Sequence, residues 1–294
     1  MVFVQHFDNM DSFAKFIGAS KNNAVFAGRT ASDCKGSDET EFTGTRDFAE
    51  AENLFRCGWK SGIQALEKQV AADFTGTAQW ATVRNYYVGA CPNVTRALQG
   101  LPDAMRQVYR TPQKQRVLTI LVDGGVNWSV RKDRYMQVAA YVYQAIREIE
   151  RQGTRVELIH THGFEIPKAD RNVETLVVVE EITLKRASEV ADAGRLSFAV
   201  AHMSMARRLD FKWLEVCQCP YLNGKAAKNY SGAGYGYSVT IHKDIKALYD
   251  AEMKKRHGNY VQLYMQSLCD NNSIASGEQV IEFIKSELKG SAEK

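Results

Sequence analysis

No uninterrupted apolar run in this chain is long enough to cross a bilayer, which leaves no candidate for a membrane-spanning helix. The first residues, Met-Val-Phe-Val-Gln-His-Phe-Asp, lack the basic stretch and apolar core of a secretion signal. Zinc-type cysteine spacing is missing too. The six cysteines (Cys34, Cys57, Cys91, Cys217, Cys219 and Cys269) are scattered, and the C-x-C at 217–219 has no second pair. They read as free, mostly buried thiols in a reducing cytoplasm. The phosphate-loop pattern G-x-x-x-x-G-K-[ST] is absent, and Asp123-Gly124-Gly125 is not a dinucleotide fingerprint. Ser129, Ser197 and Ser204 lack the G-x-S-x-G context of an activated nucleophile. Nothing in the sequence points positively to catalysis, and no cofactor is expected. A strong charge bias is also missing. At +4, net charge alone argues for no polyanionic partner, so only local clustering can.

What is present is a chain of 294 residues with ordinary apolar content, enough to bury a full core. It is organised around Arg116 to Phe164. Val117–Val122 is a short apolar run rich in β-branched residues, the pattern of a strand buried on both faces. Asp123-Gly124-Gly125 ends it with a turn. Tyr135, Val138, Ala139, Val142, Ile146 and Ile149 then fall on one face of a helix. Gly153 stops the helix and Val156–Ile159 returns as a strand, which makes a βαβ unit with parallel strands.

Downstream, the sequence predicts a polar loop from Phe164 through Asn172 and a strand over Leu176–Ile182. A helix over Arg195–Val216 is preceded by Asp192 as cap, followed by a Gly- and Tyr-rich loop over 223–237 and a strand over Ser238–Ile241. A helix over Asp244–Arg256, a strand over Tyr260–Met265 and a last helix over Gly277–Leu288 complete the chain. Upstream, it predicts a helix near Met10–Ile17 and an acidic stretch over 33–52. A helical region follows over Phe48–Phe74, divided at Gly58 and Gly62, and then a strand region over Trp80–Val88 and a short helix near Val94. The acidic stretch is either plain solvated surface or a face for a basic partner. Alternating strands and helices from 117 to 288 imply a doubly wound, mostly parallel sheet. Residues 1–115 read as an α+β region packed on that core, and 116–294 as the core domain.

A strand ending in Asp, a polar turn and a long helix together resemble the von Willebrand factor A domain. That family's metal motif, Asp-x-Ser-x-Ser, matches Asp123, Gly125 and Asn127 here, so both hydroxyl ligands are gone. Asn127 offers only an amide carbonyl to a hard cation, and Asp123 is expected to cap a turn or the next helix, with no metal bound. The segment E-I-T-L-K-R-A-S-E-V-A-D-A-G-R-L-S-F-A-V-A-H-M-S-M-A-R-R-L-D-F-K-W-L-E (181–215), with F-R-C-G-W (55–59) and C-P-N-V-T-R-A-L-Q-G (91–100), resembles an uncharacterised family of phage and bacterial proteins with such a divergent A-like domain. The arrangement is also similar to the single-stranded-DNA-binding RNA polymerase cofactors of some short-tailed phages. That resemblance implies a non-enzymatic transcription cofactor in the host cytoplasm, with single-stranded DNA and a phage RNA polymerase as partners. The alternative it leaves is a protein-interaction module with a degenerate metal site. Whether the chain forms a homo-oligomer stays open.

Basic and aromatic residues interleave where such a function would need them. Lys225, Lys228, Tyr230, Tyr235 and Tyr237 stand among glycines in a stretch without a carboxylate. Arg131, Lys132 and Arg134 follow the Asp123 turn, beside Trp128. Cations for phosphate, π-faces for bases and an adaptable backbone are what sequence-tolerant single-strand binding requires. An ordinary loop whose tyrosines pack on the domain has the same composition. His160 and His162 share one face of a strand end, which suits metal or acid–base use, or else they are a satisfied pair of loop histidines. His202, on an apolar helix, reads as a packed core histidine.

Overall fold

The run Val117–Val122 does lie in the middle of the molecule, and the start of the chain joins the same sheet. The protein is described here from a computed structural model, covering residues 1–22, 31–62, 64, 82–89, 91–109, 117–170, 173–190, 192–222 and 237–292. Strand β1 (Val2–Phe7) leads into helix α1 (Met10–Ala19), whose cap Asn9 accepts the Ser12 amide at 2.8 Å. Helix α2 (Ser37–Thr43) falls in the acidic stretch, and α3 (Phe48–Cys57) is capped by Asp47. Gly58 ends α3 at φ +87°, with its Cα so close to the Gly194 backbone that a Cβ would sit 3.1 Å from it. Strands β2 (Thr82–Tyr86), β3 (Cys91–Pro92) and β4 (Met105–Tyr109), with helix α4 (Val94–Leu98), make a small separate antiparallel sheet in the order β2-β4-β3.

The central unit follows as read from the sequence: strand β5 (Val117–Asp123), helix α5 (Lys132–Arg151) and strand β6, parallel to β5. Strand β6 is longer than expected, spanning Arg155–Asp170, and it turns into an antiparallel partner, β7 (Val173–Lys185). The polar loop expected after Phe164 is therefore a hairpin. Phe164 and Ile166 continue the alternation begun by Val156 and Leu158, with Glu165 on the opposite side. The backbone groups of this stretch find partners in β7 instead of water.

Beyond β7, helix α6 (Ala193–Ala201), a π-turn (Met205–Leu209) and helix α7 (Asp210–Val216) replace the single helix expected over 195–216. His202 is extended (φ −96°, ψ 127°) and interrupts the helix there. Its ring Nδ1 accepts the Ser204 amide at 3.1 Å, while the Ser204 hydroxyl donates to the Thr43 carbonyl at 2.8 Å. These local bonds compete with the helical ladder. Strand β8 (Tyr237–Ser238) is shorter than the strand expected there and is followed by a turn. Helix α8 (Lys243–His257), strand β9 (Val261–Tyr264), helix α9 (Met265–Asp270) and helix α10 (Gly277–Ala292) complete the described chain.

The large sheet runs β1-β7-β6-β5-β9, with β8 paired to β6. Every neighbouring pair along this path is parallel except β6–β7. One face packs Val122, Leu158, Phe164 and Val178 against apolar residues of α1, α3, α5, α6, α7 and α10. The other packs Leu121, Ile159, Val177 and Val179 against Ile245, Tyr249 and Met253 of α8. A strand buried on both faces must be apolar on both, which is why Val117–Val122 shows no alternation. The class is α/β as expected, with a mostly parallel sheet between helical layers.

Candidate functional site

The sequence singles out a basic and aromatic site in two segments. Lys225, Lys228, Tyr230 and Tyr235 lie outside the described residues. Tyr237, in β8, is about 42 % exposed. The next residue, Ser238, is buried, and its hydroxyl reaches the Gly125 carbonyl at 3.3 Å. The end of the Gly- and Tyr-rich stretch is therefore tied to the turn that follows β5, the turn that leads to Trp128 and Arg131. Trp128 is 80 % exposed, unusual for an indole. Arg131 is exposed, with Asp133 3.7 Å away, and Lys132 is half-buried.

Arg134 does not belong with them. Its guanidinium donates to the carbonyls of Asn271 (2.9 Å), Cys269 (3.2 Å) and Ile274 (3.2 Å), so it anchors the loop after α9. The Trp128 loop is itself held from below. Buried Arg207, in the π-turn, donates to the carbonyls of Val130 (2.8 Å), Asn127 (3.2 Å) and Phe42 (2.8 Å), and its guanidinium stacks 3.7 Å over the Phe42 ring. Burial lowers its pKa to about 10, so it stays charged at neutral pH. The Asn127 amide donates to Gln266, and the Asn127 side-chain carbonyl accepts the Ser129 amide at 3.3 Å. That carbonyl serves a turn.

Beneath this turn lies a second constellation. Asp123 is fully buried at the end of β5, its two oxygens accepting the amides of Gly125 (3.0 Å) and Gly163 (3.3 Å). Burial nevertheless pushes its pKa up to about 6. His160 and His162 are not in a loop. They lie mid-strand in β6, buried, on the face that meets α7. There Asp210 Oδ2 is 3.1 Å from His160 Nε2 and 2.6 Å from His162 Nδ1. Glu180 of β7 is opposite His162 in the ladder and diagonal to His160, with its carboxylate 3.6 Å from His160 Nε2. Burial raises Glu180 well above the ordinary glutamate range, and the facing charge of Asp210 adds to this. Burial acts upward on Asp210 as well, but attraction to the two histidines outweighs it and holds that carboxyl low.

Gly124 and Gly125, the second of which stands where the A-domain motif has a hydroxyl ligand, have a physical cause here. A Cβ on Gly124 would lie 2.7 Å from His160 Cε1. One on Gly125 would lie 2.9 Å from Asp123 Oδ1 and 3.2 Å from His162 Cδ2. The backbone itself lies on the imidazoles and seals the cluster. Sequence reasoning found the histidines but missed Glu180 and Asp210. Neither is near them in the chain, and Asp210 lies among residues that read as plain amphipathic helix. The readable signal was the pair of carboxylates Glu180 and Glu181 inside an apolar strand, where a charged residue needs a partner.

Fold and site together define an α/β protein with a helix-covered, mostly parallel sheet and a sealed histidine–carboxylate cluster beside the carboxyl end of β5. The chain belongs to the DUF7192 family, a domain of unknown function, whose match runs over residues 2–283, from β1 into α10. No curated protein and no solved structure matches it.

Proposed function

We propose that this protein binds single-stranded DNA, without sequence preference, using Trp128, Arg131, Lys132 and the 223–238 stretch. Through that binding it serves a phage RNA polymerase as a transcription cofactor. The observation that carries the DNA reading is the 80 % exposed Trp128 beside Arg131, on a turn joined to β8 through Ser238. An indole in water offers a stacking surface to any base, and neighbouring cations meet the backbone. Ligands of open α/β sheets characteristically sit beyond the carboxyl ends of the strands, where this turn lies. The polymerase part rests on the resemblance to single-stranded-DNA-binding polymerase cofactors.

Fluorescence anisotropy with labelled single strands, duplex and RNA tests the binding. Trp128→Ala should weaken single-strand binding by about 1–3 kcal/mol with little change in salt dependence, as expected for a lost stacking platform. Arg131→Ala with Lys132→Ala should instead flatten the log–log salt slope by roughly 1.4, since each phosphate counterion on a single strand contributes about 0.7. Lys225→Ala with Lys228→Ala should flatten it likewise. Equal affinity for strand and duplex, or unchanged binding in all three folded variants, would refute the reading. Co-purification with the phage polymerase, and stimulation of its transcription, tests the cofactor role separately.

A further inference from the structure

The geometry points to a buried binding site for one divalent transition-metal cation of the zinc type, with His160 Nε2 and the carboxylates of Glu180 and Asp210 as its ligands. The three donor atoms lie within 4.8 Å of one another, on three different elements. Their separations, 3.1 Å from His160 to Asp210 and 3.6 Å from His160 to Glu180, fit one ion. With metal–donor bonds of about 2.0–2.2 Å in a tetrahedral arrangement, donors around a zinc ion stand about 3.4 Å apart.

A second, independent observation points to a ligand. Among the described residues, no hydrogen-bond partner meets either oxygen of Glu180 or Oδ1 of Asp210, and all three are buried. Buried carboxylates are ordinarily paired or bound to metal, because an unsatisfied polar group out of water is costly. Two carboxylates and one doubly charged cation balance in charge, and a bound ion gives these side chains the partner they lack.

The donor set selects the cation. Imidazole together with carboxylate suits zinc and its first-row neighbours. Calcium needs six to eight oxygens, and magnesium keeps most of its water, so a sealed three-ligand site suits neither. His162 holds Asp210 through its 2.6 Å contact with Oδ2, the kind of support that fixes a ligating carboxylate. The Gly124–Gly125 backbone over the rings keeps the ion from solvent. This site is one strand away from the A-domain position at Asp123 and uses none of that motif's residues.

The test uses the full chain, stripped with a chelator and then titrated. Calorimetry with Zn²⁺ should show one equivalent bound, and the melting temperature should rise on loading. Co²⁺ should give the visible absorption of a low-coordinate site, lost when Zn²⁺ is added. Glu180→Gln keeps the side-chain shape but removes an anionic donor. It should weaken Zn²⁺ by more than roughly 100-fold, beyond the 10–100-fold typical of groups that only orient a ligand. His160→Gln should do the same, and His162→Asn should fall within that smaller range. Circular dichroism of each stripped variant establishes that it is folded. Absence of saturable Zn²⁺ and Co²⁺ binding to the stripped wild-type chain overturns the site. Undiminished Zn²⁺ affinity in folded Glu180→Gln or His160→Gln overturns it equally, since the ion would then sit elsewhere.

Discussion

His202 shows how one side chain can interrupt a helix and set a pH response. Its ring stacks on Phe198 at 4.8 Å between centroids and meets Trp59 edge-on, also at 4.8 Å. With Nδ1 accepting from Ser204, a neutral imidazole with its proton on Nε2 satisfies the site. Burial, reinforced by nearby Lys132, lowers its pKa to about 4. Unfolded histidine titrates near 6.5, so between those values the unfolded chain binds a proton that the folded chain refuses. Stability therefore falls as pH drops from about 6.5 to about 4. Asp123, raised to about 6, acts in the opposite sense: protonation favours its folded form, and stability falls as pH rises through that range. A variant is needed to separate the two. His202→Asn keeps an acceptor for Ser204 but loses the ring, so it should be less stable than wild type at pH 7. At pH 4.5 that difference should shrink or reverse, a change of about 2–3 kcal/mol. Urea midpoints at the two pH values measure it, and parallel pH profiles for the two proteins would show that His202 is not the titrating group.

Among the elements, the π-turn Met205–Leu209 is the one on which both candidate sites depend. The wider turn changes the phase of the helix, so that consecutive residues serve different partners. Arg207 supports the Trp128 turn. Arg208 donates to the carbonyls of Ser32, Cys34 and Thr45. Asp210, immediately beyond, reaches the two histidines. Arg207→Met keeps much of the side-chain stem but leaves three carbonyls without their charged donor. It should destabilise the protein by about 3 kcal/mol, within the range for losing a buried charged partner. It should also speed hydrogen exchange at the Val130 amide, which bonds the Asn127 carbonyl within the anchored turn. Exchange at Val130 as slow as in wild type would show that the turn does not depend on Arg207.

For the whole molecule, the main consequence comes from β1. Its backbone pairs in parallel with β7, Val2 opposite Val177 through Phe7 opposite Ile182. Buried Glu181 of β7 joins three distant parts of the chain: it accepts from His6 of β1 (2.6 Å) and from Arg256 (3.0 Å) and His257 (2.8 Å) of α8. Phe13 and Phe55, from α1 and α3, pack into the same core as Phe198. A fragment of residues 116–294 would expose the β7 edge and this aromatic surface. It should therefore lack the near-ultraviolet signal of a packed core, whereas the full chain should unfold in one transition seen identically by fluorescence and far-ultraviolet dichroism. A fragment that unfolds cooperatively by itself would show that the first segment is an independent appendage.

The sequence by itself determined what local pattern controls. The buried strand Val117–Val122, the helix that follows it and the last helices are legible because apolar period and Gly or Asp punctuation act over a few residues. The nearness of Trp128 to Arg131 and Lys132 is legible for the same reason, as neighbours in the chain, while the exposure of the indole is not. Tertiary structure alone decided what depends on contacts between distant segments. It placed β1 in the central sheet, continued β6 past Phe164 into a hairpin, and committed Arg134 to carbonyls instead of solvent. It also brought Glu180 and Asp210 to His160. A carboxylate in a strand and one in a helix carry no mark of each other in sequence. Only the packing of α7 on β6 and β7 removes both from water, and that shared burial is what turns separate side chains into a site.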